Sequence, residues 1–236
     1  MISLHFWAHL RTINRHRALV RKYCFRLGLY WQGLTHDLSK YAPVEFFAGV
    51  KYFQGDHSPN DAQRKEHGYS ASWLHHKGRN RHHFEYWIDY CLRPDGSVYM
   101  GGCKMPKRYV AEMFCDRIAA CRVYQGEKYT DASPYDYYQK SKDHILINQE
   151  TSDLLDRWLL LLKEHGEDAA LPQIGVQPIG HSLQKLIGAG GAARCPQLLL
   201  RGVGSAPKQI FPDGTGKQGV LLQYHADGLP QMLHSV

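Results

Sequence analysis

Between residues 6 and 27 the apolar side chains Phe6, Leu10, Ile13, Val20, Cys24 and Leu27 recur at helical spacing, and Arg11, Arg15, Lys22 and Arg26 fall on the opposite side. This commits the start of the chain to an amphipathic helix. It also sets a constraint, because His9 and His16 lie on the apolar side. An imidazole on a buried face needs a hydrogen-bond partner or a metal ion.

The helical reading continues past Gly28. A second helix is expected over 29–40, and a third over 43–53, with Pro43 in its first turn followed by Glu45. A fourth, capped by Asn60 or Asp61, runs toward Trp73 and Leu74. A stretch rich in Gly and Pro, 93–106, precedes a helix over 107–124. Ser133-Pro134 opens another, reaching about His144, and a last one spans 152–164 and closes at Gly166. The expected fold is all-α, a helical bundle over 1–170. Residues 171–236 differ in character: Gly-rich, with Asp213 and Asp227 as the only acids and no sustained periodicity. They are expected to form an irregular, poorly ordered tail.

Within this scaffold His36-Asp37-Leu38-Ser39-Lys40 sets an imidazole, a carboxylate and an ammonium group side by side. Helical neighbours point about 100° apart, so His36 and Asp37 converge only on something between their directions, for which a divalent ion is the natural candidate. A second dense segment carries His75-His76 and His82-His83 on either side of Lys77-Gly78-Arg79-Asn80-Arg81, flanked by Trp73 and Trp87. One member of each pair is expected to turn inward to a metal or a phosphate. Lys77, Arg79 and Arg81 are candidate phosphate-binding cations. Asp116 shares an apolar face with Tyr109, Met113, Ala119, Ala120 and Val123, and must therefore meet a cation.

The 236 residues carry 29 Lys and Arg against 22 Asp and Glu, a formal +7 that favours anionic partners. No long basic run marks a nucleic-acid arm, so a small phosphorylated molecule is favoured over nucleic acid. The six Cys form no C-x-x-C pair, which disfavours a zinc ribbon or a disulfide framework. No apolar run approaches the roughly 18 residues of a membrane span, and residues 1–9 lack the apolar core of a signal peptide. A cytoplasmic protein without membrane partners is expected.

Placed in order, His16, His36-Asp37 followed by Lys40, and Asp116 within Cys115-Asp116-Arg117-Ile118-Ala119 resemble the HD-domain superfamily of metal-dependent phosphohydrolases. The resemblance implies an HD-like helical bundle in which these four residues ligate a divalent transition metal such as Mn, Fe, Zn, Ni or Co. His9, one heptad earlier, is the fallback for the first position. The His pairs at 75–76 and 82–83 sit where two-metal subfamilies supply further ligands, so one ion or two are implied. More narrowly, most of 1–170 is similar to an uncharacterised bacterial family, domain of unknown function 5662. The segments 30–41 and 74–83 carry that likeness.

The leading expectation is hydrolysis of a small phosphorylated compound, such as a nucleotide, by metal-activated water. Lys40 would offset phosphoryl charge and Glu45 would transfer protons. An HD-type di-iron oxygenase and a non-enzymatic module binding nucleic acid or a partner protein are the alternatives.

Overall fold

The computed structural model describes residues 2–56 and 58–175. Among them are eight α-helices: α1 (Ile2–Arg26), α2 (Tyr30–Thr35), α3 (Pro43–Lys51), α4 (Pro59–His67), α5 (Ala71–Lys77), α6 (Lys107–Gln125), α7 (Ser133–Gln139) and α8 (Gln149–Ile174). The only sheet among the described residues is an antiparallel hairpin, β1 (Ile88–Leu92) with β2 (Val98–Gly102), in which Cys91 faces Tyr99. The expected all-α class is therefore the observed one.

The core forms where α1, α6 and α8 pack. On α1, residues 9, 13, 16, 20, 23 and 24 are buried, and residue 27 just beyond it, a spacing of mostly three and four that keeps one stripe inward. Val20, Tyr23, Cys24 and Leu27 meet Val110, Phe114, Cys115 and Ile118 of α6, with Leu155, Leu159 and Leu162 of α8 behind them. A smaller cluster, Ile13, Phe46 and Val50, joins α1 to α3. His16 lies on the stripe between these two apolar clusters.

Several expected boundaries move, each for a local reason. The second helix stops at Thr35, so His36 and Asp37 lie beyond it, and a 3-10 turn covers Leu38–Tyr41. The expected helix from Asn60 to Leu74 is two helices. Ser58 caps the first and accepts from the amide of Asn60, Gly68 ends it at φ 79, and Ser70 caps the second by accepting from the amide of Trp73. Where the sequence suggests only a Gly- and Pro-rich stretch over 93–106, a hairpin over 88–102 forms. Its turn is the Pro94-Asp95-Gly96 type, with Gly96 at φ 82 and Asp95 Oδ1 accepting from the amide of Ser97 at 2.8 Å.

α7 ends at Gln139, short of His144, and a separate 3-10 turn covers Lys142–His144. The last helix begins earlier, capped by Asn148, and runs through Gly166 (φ 75) as a kink instead of ending there. Leu171 and Ile174 are buried in the core, so the expected domain edge at 170 cuts through a packed helix. The rest of the expected tail, 176–236, lies outside the described residues. No helix among the described residues is long and apolar enough to cross a membrane.

Candidate metal centre

α1 contributes His16. The corner after α2 contributes His36 and Asp37, the end of α5 and the following turn contribute His76, His82 and His83, and α6 contributes Glu112 and Asp116. The corner has unusual backbone. His36 turns extended at ψ 128, and Asp37 takes φ 53, the only non-glycine residue with positive φ among those described. Such a conformation costs about 1–3 kcal/mol and persists only where its surroundings enforce it. Arg17 of α1 supplies that enforcement, donating from Nε to the carbonyl of His36 at 2.8 Å and from Nη2 to that of Leu34 at 3.1 Å. Its third contact, Nη1 to Tyr41 Oη at 2.9 Å, fixes the far side of the corner.

Two groups of candidate ligands share Asp37. In the first, His16 Nε2 lies 2.9 Å from Asp116 Oδ1 and 3.5 Å from Asp37 Oδ2. His36 Nε2 lies 3.4 Å from Asp37 Oδ2, 3.6 Å from Asp116 Oδ1 and 3.4 Å from His16 Nε2. Atoms bound about 2.0–2.2 Å from one ion at tetrahedral or octahedral angles stand roughly 2.8–3.6 Å apart, so this spacing suits a shared cation. In the second group, Asp37 Oδ1 lies 3.3 Å from His76 Nε2 and 3.4 Å from His82 Nε2, and His76 Nε2 lies 2.9 Å from His83 Nε2.

The polar atoms here fit a metal. Asp37 Oδ1, Asp37 Oδ2 and His82 Nε2 are buried with no hydrogen bond. Lys40 Nζ does stand 2.8 Å from Asp37 Oδ2, an ion pair without hydrogen-bond alignment. Carboxylate oxygens without a hydrogen bond on a residue only 1% exposed are costly, and a bound cation would offset that cost.

The Nδ1 atoms are held from behind. Glu112 Oε1 accepts from His36 Nδ1 at 2.9 Å and lies 3.2 Å from His82 Nδ1. Glu45 Oε1 accepts from His75 Nδ1 at 2.6 Å, and its Oε2 from His76 Nδ1 at 2.8 Å. These carboxylates aim the Nε2 atoms of His36, His82 and His76 at Asp37, the usual outer support of histidine ligands. Burial opposes ionisation of Asp37 and Asp116, but it is outweighed for Asp37 by the charges of His36, Lys40 and His76, and for Asp116 by hydrogen bonds from His16 and His36. Both carboxyls are held well below the usual range. Burial likewise opposes a charge on His36, yet Asp37, Asp116 and Glu112 raise it well above the usual value. His83 goes the other way, pushed well down by burial and by the charges of His82 and His76.

The structure thus brings His16, His36, Asp37 and Asp116 together, and His9 is not among them. His9 packs against α3, where a Cβ on Gly49 would stand 2.0 Å from its Nε2. Of the first His pair, His76 turns inward and His75 reaches only Glu45. Both members of the second pair turn inward, against the expectation of one, because residues 81–83 form a turn and their side chains need not diverge as on a helix. Glu45 is not a free base, since both its oxygens are taken. Glu112 was missed in the sequence, although it stands one helical turn before Asp116 on the same face.

A cavity of about 620 Å³ opens beside the ligand groups, reaching Lys40, Arg64, Trp73, Arg117 and Tyr124. That volume lies within the roughly 300–1,000 Å³ of small-molecule sites. Lys77, Arg79 and Arg81 do not line it. Arg79 donates to the carbonyl of His75 at 3.3 Å, and Arg81 to Tyr109 Oη at 3.3 Å, both on the exposed surface.

No curated protein and no solved structure matches the chain. The model of one family, described as a family of unknown function, DUF5662, matches residues 5–160, which span α1 to the middle of α8 and every candidate ligand. The chain belongs to that family.

Proposed function

We propose that this protein is an HD-like, metal-dependent phosphohydrolase acting on a small phosphorylated compound such as a nucleotide. The observation that carries the reading is buried Asp37, whose two oxygens make no hydrogen bond and stand between two ligand groups, His16, His36 and Asp116 on one side and His76, His82 and His83 on the other. His16, His36, Asp37 and Asp116 would hold one divalent ion (Mn, Fe, Zn, Ni or Co), and Asp37 with the three other histidines a second. Bound there, such an ion polarises a phosphoryl oxygen and activates water at neutral pH.

The chain's own groups supply the rest. Lys40 stays cationic, because the Asp37 charge outweighs the burial that opposes it, and it sits on the cavity wall where negative charge would build on a phosphoryl group. Glu45 holds the proton on His76 Nδ1 and so keeps Nε2 free as a ligand. The aromatic wall of Trp73 and Tyr124 excludes water around a bound ligand.

The test is phosphate release from a panel of phosphate monoesters and nucleotides by metal-loaded protein. Release that disappears in His36→Ala and Asp37→Ala supports the reading, and release that persists in both contradicts it. A di-iron oxygenase is the second reading, favoured by the carboxylate placed between two histidine-rich groups. Bound iron with oxygen consumption and no phosphate release would select it.

A further inference from the structure

Three cationic side chains line the cavity: Lys40, Arg64 and Arg117. Two are already matched. Lys40 stands against Asp37, and Arg64 donates to Asp61 at 2.7 Å while lying over Trp73 at 5.6 Å. Arg117 differs. Its buried Nε has no hydrogen-bond partner, and no ion pair engages it among the described residues. The Arg117 charge is felt by Glu85, yet the buried Oε2 of Glu85 also has no hydrogen bond, and no ion pair joins the two.

What Arg117 does have is a platform. Its guanidinium carbon lies 5.0 Å from the centroid of the buried Tyr138 ring, a contact that supports the guanidinium without neutralising it. A half-buried guanidinium with no anion is costly, whereas a forked pair of N–H donors matches two oxygens of a phosphate. Arg117 also follows Asp116 in α6, so fork and candidate metal ligand line the same cavity.

We infer that Arg117 is the phosphate-binding residue of the cavity, an assignment that rests on the phosphohydrolase reading above. It takes the role that sequence reasoning gave to Lys77, Arg79 and Arg81. A ligand held this way would lie between Arg117 and the candidate metal ligands His16, His76, His83 and Asp116, which line the same cavity.

The experiment is calorimetric titration of inorganic phosphate into the full chain loaded with manganese, with metal content measured on the same samples. Wild type is expected to bind, and Arg117→Gln to bind about tenfold or more weakly with its metal retained, the loss of charge-assisted hydrogen bonds. Arg117→Lys keeps the charge and guards against a Gln variant that fails to fold; it is expected to bind more weakly than wild type, because a point charge cannot fork. Wild-type affinity in folded Arg117→Gln, or in Arg117→Lys where the Gln variant does not fold, overturns the assignment and leaves the phosphohydrolase reading standing. A metal-loaded wild type that binds no phosphate overturns both.

Discussion

Glu112 shows how much one residue controls here. A single oxygen serves the Nδ1 atoms of both His36 and His82, one from each ligand group. Glu112→Gln is therefore expected to weaken metal binding about 10–100-fold without unfolding the chain. Competition against a chelator measures this, and unchanged affinity would mean that the histidines are aimed by packing alone. His9 offers a different prediction. Burial, helped by the Lys40 charge, lowers its pKa to about 4. Between pH 6.5 and 4 the unfolded chain then binds the extra proton, so stability is full above 6.5 and is lost as pH falls toward 4, by up to about 3 kcal/mol from this group. Urea unfolding of His9→Gln should show a flatter acid limb than wild type; parallel limbs would exclude His9 as the cause.

At the level of elements, the long periodic helices were readable and the corners were not. The apolar stripe of α1 and the face of α6 follow from spacing because each buries against a large core. The convergence of His36 with Asp37 does not follow, because it depends on a left-handed residue held by Arg17 from another helix, a tertiary effect invisible to local pattern. The split of α4 from α5 did have a local signal in Ser58, Gly68 and Ser70, as did the hairpin in Pro94-Asp95-Gly96. The continuation of α8 past Gly166 had none, since burial of Leu171 and Ile174 is what overrides the glycine. The close approach of α1 to α3 is likewise tertiary. With His9 Nε2 2.0 Å from where a Cβ would sit, Gly49→Ala is expected to destabilise the protein by about 1–3 kcal/mol through overpacking. A denaturant midpoint equal to that of wild type would show that the His9 ring moves aside without cost.

For the whole molecule, the candidate centre joins parts far apart in sequence, with α1, the corner after α2, the turn after α5, and α6 all meeting at Asp37. An ion there would tie four elements together. Stabilisation by a ligand that binds only the folded state reaches about 2.7 kcal/mol at a hundredfold excess over its Kd, so divalent transition metals should raise the melting temperature by several degrees. The most direct measurement is elemental analysis of full-length protein purified without a chelating tag, for wild type and Asp37→Asn. Asn tolerates the left-handed backbone, so the variant removes the charge and keeps the corner. The account predicts one or two equivalents of a transition metal in wild type and their loss in the folded variant, since both ligand groups depend on Asp37. Wild-type protein that holds no metal, and whose melting is unmoved by added divalent ions, would contradict it.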